Sequence, residues 1–163
     1  MKILAITLLM MGYLTGCSDP GTGPVDVHWD RDSCERCNMI LSDRHHAAQV
    51  RYMDEQNRSR VRIFDDIGCA LVWLEDKQWR DAATTEIWTK DYRDGKWIDA
   101  KAAYYIKGQV TPMEYGVGAQ STPPIAESFN FDEAKSYIFK VEETYNVHGA
   151  NIKEHSKEVR EIK

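Results

Sequence analysis

The sequence predicts an α+β fold in which two related, small ββαβ-type units pack together. Three observations predict it. Strand-like stretches come in pairs, each pair is followed by one amphipathic helical stretch, and the two helices share their spacing of apolar positions. Neither half is long enough for a comfortable core of its own, so each is expected to bury its apolar face against the other.

Residues 1–16 read as a lipoprotein signal peptide. Lys2 supplies the positive start, and Ile3 through Leu14 is apolar except for Thr7 and Gly12. Such a run is too short to span a bilayer and has the length of a signal core. It ends in Leu14-Thr15-Gly16-Cys17, the small-residue pattern at which lipoproteins are lipidated and cut. The mature chain is therefore expected to begin at a lipidated Cys17, in the cell envelope, anchored to the inner or outer membrane and facing the periplasm. Each buried acyl methylene contributes about 0.8 kcal/mol to such an anchor. Residues 17–33 continue as the lipidated N-terminus and a linker, and Pro20, Gly21, Gly23 and Pro24 predict a flexible stalk.

Residues 34–95 form the first ββαβ unit. Ala47–Met53 and Arg60–Phe64 alternate in character across the polar run 54–59, which predicts a hairpin with a longer loop. Asp65 is a suitable N-cap for a helix to about Glu75, with Ile67, Ala70, Leu71 and Leu74 on one face. Cys69, Val72 and Trp73 lie opposite, so this helix is apolar nearly all round. Burial on two sides follows, and Cys69 is expected in the core rather than at a site. A third strand spans Glu86–Tyr92, and Asp94-Gly95 turns the chain.

Residues 96–163 form the second unit, ββα with room for a further strand, ending in a charged tail. Tyr104–Ile106 starts a strand, and the Gly-rich segment 113–120 is its expected partner. After Pro123-Pro124, Phe131-Asp132 opens a helix with Ala134, Tyr137, Ile138 and Val141 on its apolar face. At a constant offset these four match Ile67, Ala70, Leu71 and Leu74, and Phe131-Asp132 matches Phe64-Asp65. Ala47-Ala48-Gln49 is echoed in Gly118-Ala119-Gln120. Shared amphipathic period alone produces much of such agreement, so the Phe-Asp and Ala-Gln pairs carry the inference of a repeat.

The balance of charge excludes one class of partner. The net charge is −5 and no basic stretch exists, whereas nucleic-acid binding requires clustered Lys and Arg. Cysteine usage is more telling. With Cys17 taken by lipid, Cys34, Cys37 and Cys69 leave an odd number of thiols in an oxidising compartment, where a disulfide framework would show an even set.

The chemistry concentrates in Cys34-Glu35-Arg36-Cys37-Asn38-Met39. Two thiols and a thioether in one loop are soft donors that select Cu(I) over hard cations. Haem attachment fails because Asn38 stands where a His is required. A structural zinc site needs a second close ligand pair, which His45, His46 and Cys69 do not supply at the usual spacing. Three alternatives stay open: a structural zinc site despite that spacing, a plain Cys34–Cys37 disulfide, and a thiol–disulfide oxidoreductase using the same pair. His28, His148 and His155 read as surface residues. Met113, beside glycines in a loop, suits a ligand or contact surface as well as it suits core filling.

The order of these motifs resembles the NosL family: lipobox, Cys-x-x-Cys-x-Met, Ala-Ala-Gln, Phe-Asp-Asp-x-x-Cys, Trp-x-Asp-Ala, then the Met/Gly loop of the second unit. The resemblance runs from Cys34 to about Tyr145. It implies a Cu(I)-binding lipoprotein of two related units that works with an ABC-type copper-maturation transporter and delivers copper to apo nitrous-oxide reductase. It also implies copper ligands at Cys37, Met39 and Met113, with Cys34 as a further participant. Such a role transforms no substrate bond, so the chain is expected not to be an enzyme. Two departures stand out: Asn38 replaces a usual Gly, and Met113-Glu114-Tyr115-Gly116 replaces a tight Met-Gly pair.

Overall fold

A computed structural model describes residues 21–145. The signal peptide, the lipidation site Cys17 and the tail from residue 146, with His148 and His155, lie outside the described residues.

The first four-stranded sheet is antiparallel throughout and has the order β2-β1-β3-β4, formed by β1 (Ala48–Met53), β2 (Ser59–Phe64), β3 (Glu86–Lys90) and β4 (Trp97–Asp99). Its hairpin registers Ala48 on Phe64 and Met53 on Ser59. Asp54 holds the connecting loop, because its carboxylate accepts from the Gln56 and Arg58 amides and from the Arg58 and Arg60 side chains. Helix α1 (Ile67–Leu74) follows β2 and buries Ile67, Cys69, Ala70, Leu71 and Leu74. The second sheet pairs β5 (Tyr104–Lys107) with β6 (Val117–Gln120), and helix α2 (Phe131–Tyr145) follows. Asn130 and Glu133 cap α2 reciprocally, each side chain accepting from the other's amide.

The architecture is thus α+β, with ββα order in both halves. Among the described residues no strand follows α2. Strand β4, which lies beyond residue 95, completes the first sheet by pairing Trp88 with Asp99. The two sheets meet where Asp91 bridges Ala119 and the Tyr92 amide donates to the Ala119 carbonyl.

Burial supports the helical half of the repeat. Ile67 and Leu71 are buried in α1, and so are their matches Ala134 and Ile138 in α2. The Phe-Asp match is not one of structural role: Phe64 ends a strand, whereas Phe131 is the first residue of a helix. The Ala-Gln echo also crosses topology, since Ala48-Gln49 lies on the first strand of its hairpin and Ala119-Gln120 on the second of the other.

The flexible stalk expected before residue 33 is corrected over residues 21–33. Gln49 exchanges two hydrogen bonds with the Val25 backbone, at 2.8 Å each. Arg51 Nε donates to the Gly23 carbonyl, and the Gly23 amide donates to Glu86 Oε2. This segment is a strap lying over the outward side of β1, which is why the polar Gln49 and Arg51 are 0% and 1% exposed.

Candidate metal centre

Cys34 and Cys37 sit on a closed turn. The Cys34 amide donates to the Met39 carbonyl and the Asn38 amide donates back to the Cys34 carbonyl. Closing so short a loop forces one residue into the left-handed region. Asn38 takes it at φ 63°, a conformation that Asn tolerates and Gly favours. Asn38 thus adopts the backbone conformation that Gly would favour here. A bond from the Glu35 amide to the Ile63 carbonyl docks this turn on the end of β2, beside the start of α1.

That docking brings together Cys34, Cys37, Cys69 and Asp65, whose donor atoms all lie within 4.8 Å of one another. All three cysteines are free thiols. Cys34 and Cys69 are buried, while Cys37 is half-buried and opens the cluster to solvent. Cys69 therefore does belong in the core, as its helix face predicted, but it also stands in the cluster, which corrects the expectation that it lies apart from the site. The reason is the double acid before the helix. Asp66, not Asp65, is the N-cap, accepting from the Cys69 amide at 2.9 Å. Asp65 is thereby freed to turn toward the thiols, and Cys37 Sγ donates to its Oδ2 at 2.7 Å.

The thiols divide their protons unequally. Cys34 is lowered to about 5, first because Cys69 donates a hydrogen bond to its sulfur, with amides of Cys37, Asp65 and Arg36 adding to this. Cys69 is pushed up by the same shared proton and by burial. Cys37 is pushed up to about 12, by burial first and by its bond to the Asp65 carboxylate next. The shared proton thus favours ionisation at Cys34 over Cys69 and Cys37.

The remaining candidates fall at the edges. Met39 shares the turn and is 51% exposed, so its thioether stands at the rim. Met113 is half-buried in the loop between β5 and β6, and its amide donates to Asp66 Oδ2 at 3.2 Å, which carries that loop to the capped end of α1. His45 Nδ1 lies 2.9 Å from the Tyr92 carbonyl and His46 Nδ1 2.9 Å from Asp43, and neither ring joins the cluster. His28 pairs with Asp32 at the surface. Asp65 is the residue sequence reasoning passed over, since a cap was the obvious use for it. The signal was the second acid, because one helix end needs only one cap.

Behind the cluster, Arg36 extends from within the Cys-x-x-Cys turn to the second unit. Its guanidinium donates to Tyr115 Oη at 3.0 Å and to Glu142 at 2.6 Å, and lies 4.0 Å from Cys69 Sγ. Tyr115 Oη in turn donates to Glu142 at 2.5 Å. The Tyr115 ring lies directly on Gly68, where a Cβ would overlap the ring carbons.

No curated protein matches this chain. Among solved structures the chain is similar to the crystal structure of the copper chaperone NosL from Shewanella denitrificans, with 16% identity and a TM-score of 0.47 over 75% of this chain and 89% of that one. The NosL family model matches residues 24–137, a span that holds all three thiols and Asp65, and the chain belongs to the NosL family.

Proposed function

We propose that this protein is a Cu(I)-binding lipoprotein that carries copper in the cell envelope and hands it to a copper enzyme, nitrous-oxide reductase by family resemblance. The observation that carries the reading is the convergence of Cys34, Cys37 and Cys69 within 4.8 Å. Thiolate and thioether donors favour Cu(I), and a cluster with a single half-exposed thiol gives the metal one way in and out. Copper is cargo here. Cys37 meets it first, the exposed Met39 thioether assists entry and exit, Cys34 and Cys69 hold it from behind, and Met113 closes the site from the second unit. No substrate bond is transformed. Apo nitrous-oxide reductase and its ABC-type transporter are the proposed partners, and the Cys17 lipid anchor holds the protein at the periplasmic side of a membrane.

The alternative, thiol–disulfide exchange by Cys34 and Cys37, has weaker support. An exchange nucleophile must be both accessible and ionised. Here Cys34, the sulfur whose ionisation is favoured, is buried, and the accessible Cys37 has its pKa raised by burial and by the Asp65 carboxylate.

An anaerobic Cu(I) titration of the reduced protein against a competing chelator tests the reading, run beside Zn(II) because a Cys₃Asp donor set also suits that ion. Stoichiometric Cu(I) binding that vanishes in Cys37→Ala supports it. Unaltered binding in Cys37→Ala and Cys69→Ala, or a preference for Zn(II), defeats it. The delivery step is tested by removing the protein from cells: the reductase should then accumulate without its copper.

A further inference from the structure

We propose that Tyr115, held by Arg36 and Glu142, is a positioning residue that fixes the Met113 loop of the second unit against the thiol cluster of the first. The inference rests on the copper reading above and deepens it.

The loop is attached to the first unit on both sides of Glu114. On one side the Met113 amide donates to Asp66, the residue that also caps the helix carrying Cys69. On the other, Tyr115 is 1% exposed, with its ring on Gly68 and its hydroxyl between Arg36 and Glu142. Both side chains of the Arg36–Glu142 pair are 13% exposed, so the pair is withdrawn from the solvent that weakens surface ion pairs. Arg36 lies between the two cysteines of the metal turn, and Glu142 lies on α2. One hydroxyl thus joins the metal turn, the α1 surface and the second unit's helix, two residues from Met113.

The two extra residues of this loop relative to the family's tight Met-Gly pair have a consequence here. Glu114 takes φ 58° and Gly116 φ 69°, so the chain turns sharply on each side of Tyr115 and drives that ring inward. In this chain the loop therefore carries an anchor, Tyr115, two residues from Met113. A thioether is a neutral, weak ligand, so its share in binding Cu(I) depends on being held in place, which is what outer hydrogen bonds do for metal ligands.

The test uses the reduced protein with Cu(I) as probe and a competing chelator, on wild type, Tyr115→Phe, Met113→Leu and the double variant. Phenylalanine keeps the ring on Gly68 and removes only the hydroxyl. Tyr115→Phe alone is expected to weaken Cu(I) binding about tenfold. In the Met113→Leu background the same change should cost less than about twofold, because the residue it positions is gone. X-ray absorption should count one sulfur fewer at copper in each single variant. Equal losses in both backgrounds, or no loss with Tyr115→Phe, overturn the proposal and leave the copper function standing. A wild type that binds no Cu(I) overturns the function itself. Glu142→Gln, which keeps an acceptor for the hydroxyl but removes the charge facing Arg36, repeats the cycle should Tyr115→Phe fail to fold.

Discussion

The Cys37 thiol donates to Asp65 Oδ2 at 2.7 Å, joining two residues 28 positions apart in the chain. A carboxylate that accepts from a thiol stabilises the protonated form and repels the thiolate. Asp65→Asn keeps an acceptor and removes the charge, so the Cys37 pKa should fall from about 12. Because only the thiolate reacts, alkylation of Cys37 at neutral pH should rise about tenfold for each unit of that fall. Mass-spectrometric timing of iodoacetamide labelling at Cys37 measures it, and an unchanged rate would mean that the contact does not control the proton.

Gly68→Ala separates helix propensity from packing. In an open helical position alanine is more stable than glycine by about 1 kcal/mol. At Gly68 the new Cβ meets the Tyr115 ring. The variant should instead be destabilised by about 1–3 kcal/mol, read as a lower Tm. A raised Tm would show that the ring does not lie there.

Acid should weaken the joint between the sheets. Asp91 is 1% exposed and held well below the usual carboxylate range, first by the bond from Arg93 and then by the Ser121 amide and hydroxyl. Its folded pKa lies below its unfolded value of 3.8, so its contribution is present above that pH and lost as pH falls toward the folded pKa. Denaturant titrations across the range from about pH 6 to about pH 2 should show wild-type stability declining below about pH 4. Asp91→Asn should start lower by about 1.5–3 kcal/mol and decline less. Parallel acid limbs in the two proteins would contradict this assignment.

Hydrogen exchange tests the strap. The Gly23 and Val25 amides donate to Glu86 and Gln49, so both should exchange slowly. Gln49→Ala strands the Val25 amide and carbonyl and should bring that amide close to free-peptide exchange, at a stability cost of about 1–3 kcal/mol. Fast exchange at Val25 in the wild type would restore the flexible stalk that its composition suggested.

The strap also marks where sequence reasoning stopped. Strands β1 and β2 and helix α2 announced themselves by period and fall within a residue or two of where alternation and the Phe131-Asp132 opening placed them, whereas the short β4 was not foreseen. Gly21, Gly23 and Pro24 carry no such period. What holds their segment is Gln49 and Arg51 bonding to backbone atoms, which any residue supplies, so no side-chain pattern records it. The site divided in the same way. That Cys34 and Cys37 lie together was legible because a Cys-x-x-Cys loop brings its own thiols together. Cys69 and Asp65 join them only through the docking of that loop on the end of β2, a long-range event with no local signature. The apolar setting of Cys69, which argued for the core, was read correctly and proved compatible with the site.

The strap has a further consequence for reach. Only Ser18, Asp19 and Pro20 separate Cys17 from the first residue of the tied segment, Gly21. Four Cα steps at full extension cover about 14 Å. With Cys17 lipidated as proposed, these few residues would hold the start of the tied segment within about 14 Å of the lipidated residue. A cargo site tethered in this way would work by waiting rather than by searching, and an acceptor would have to come to the membrane to meet it.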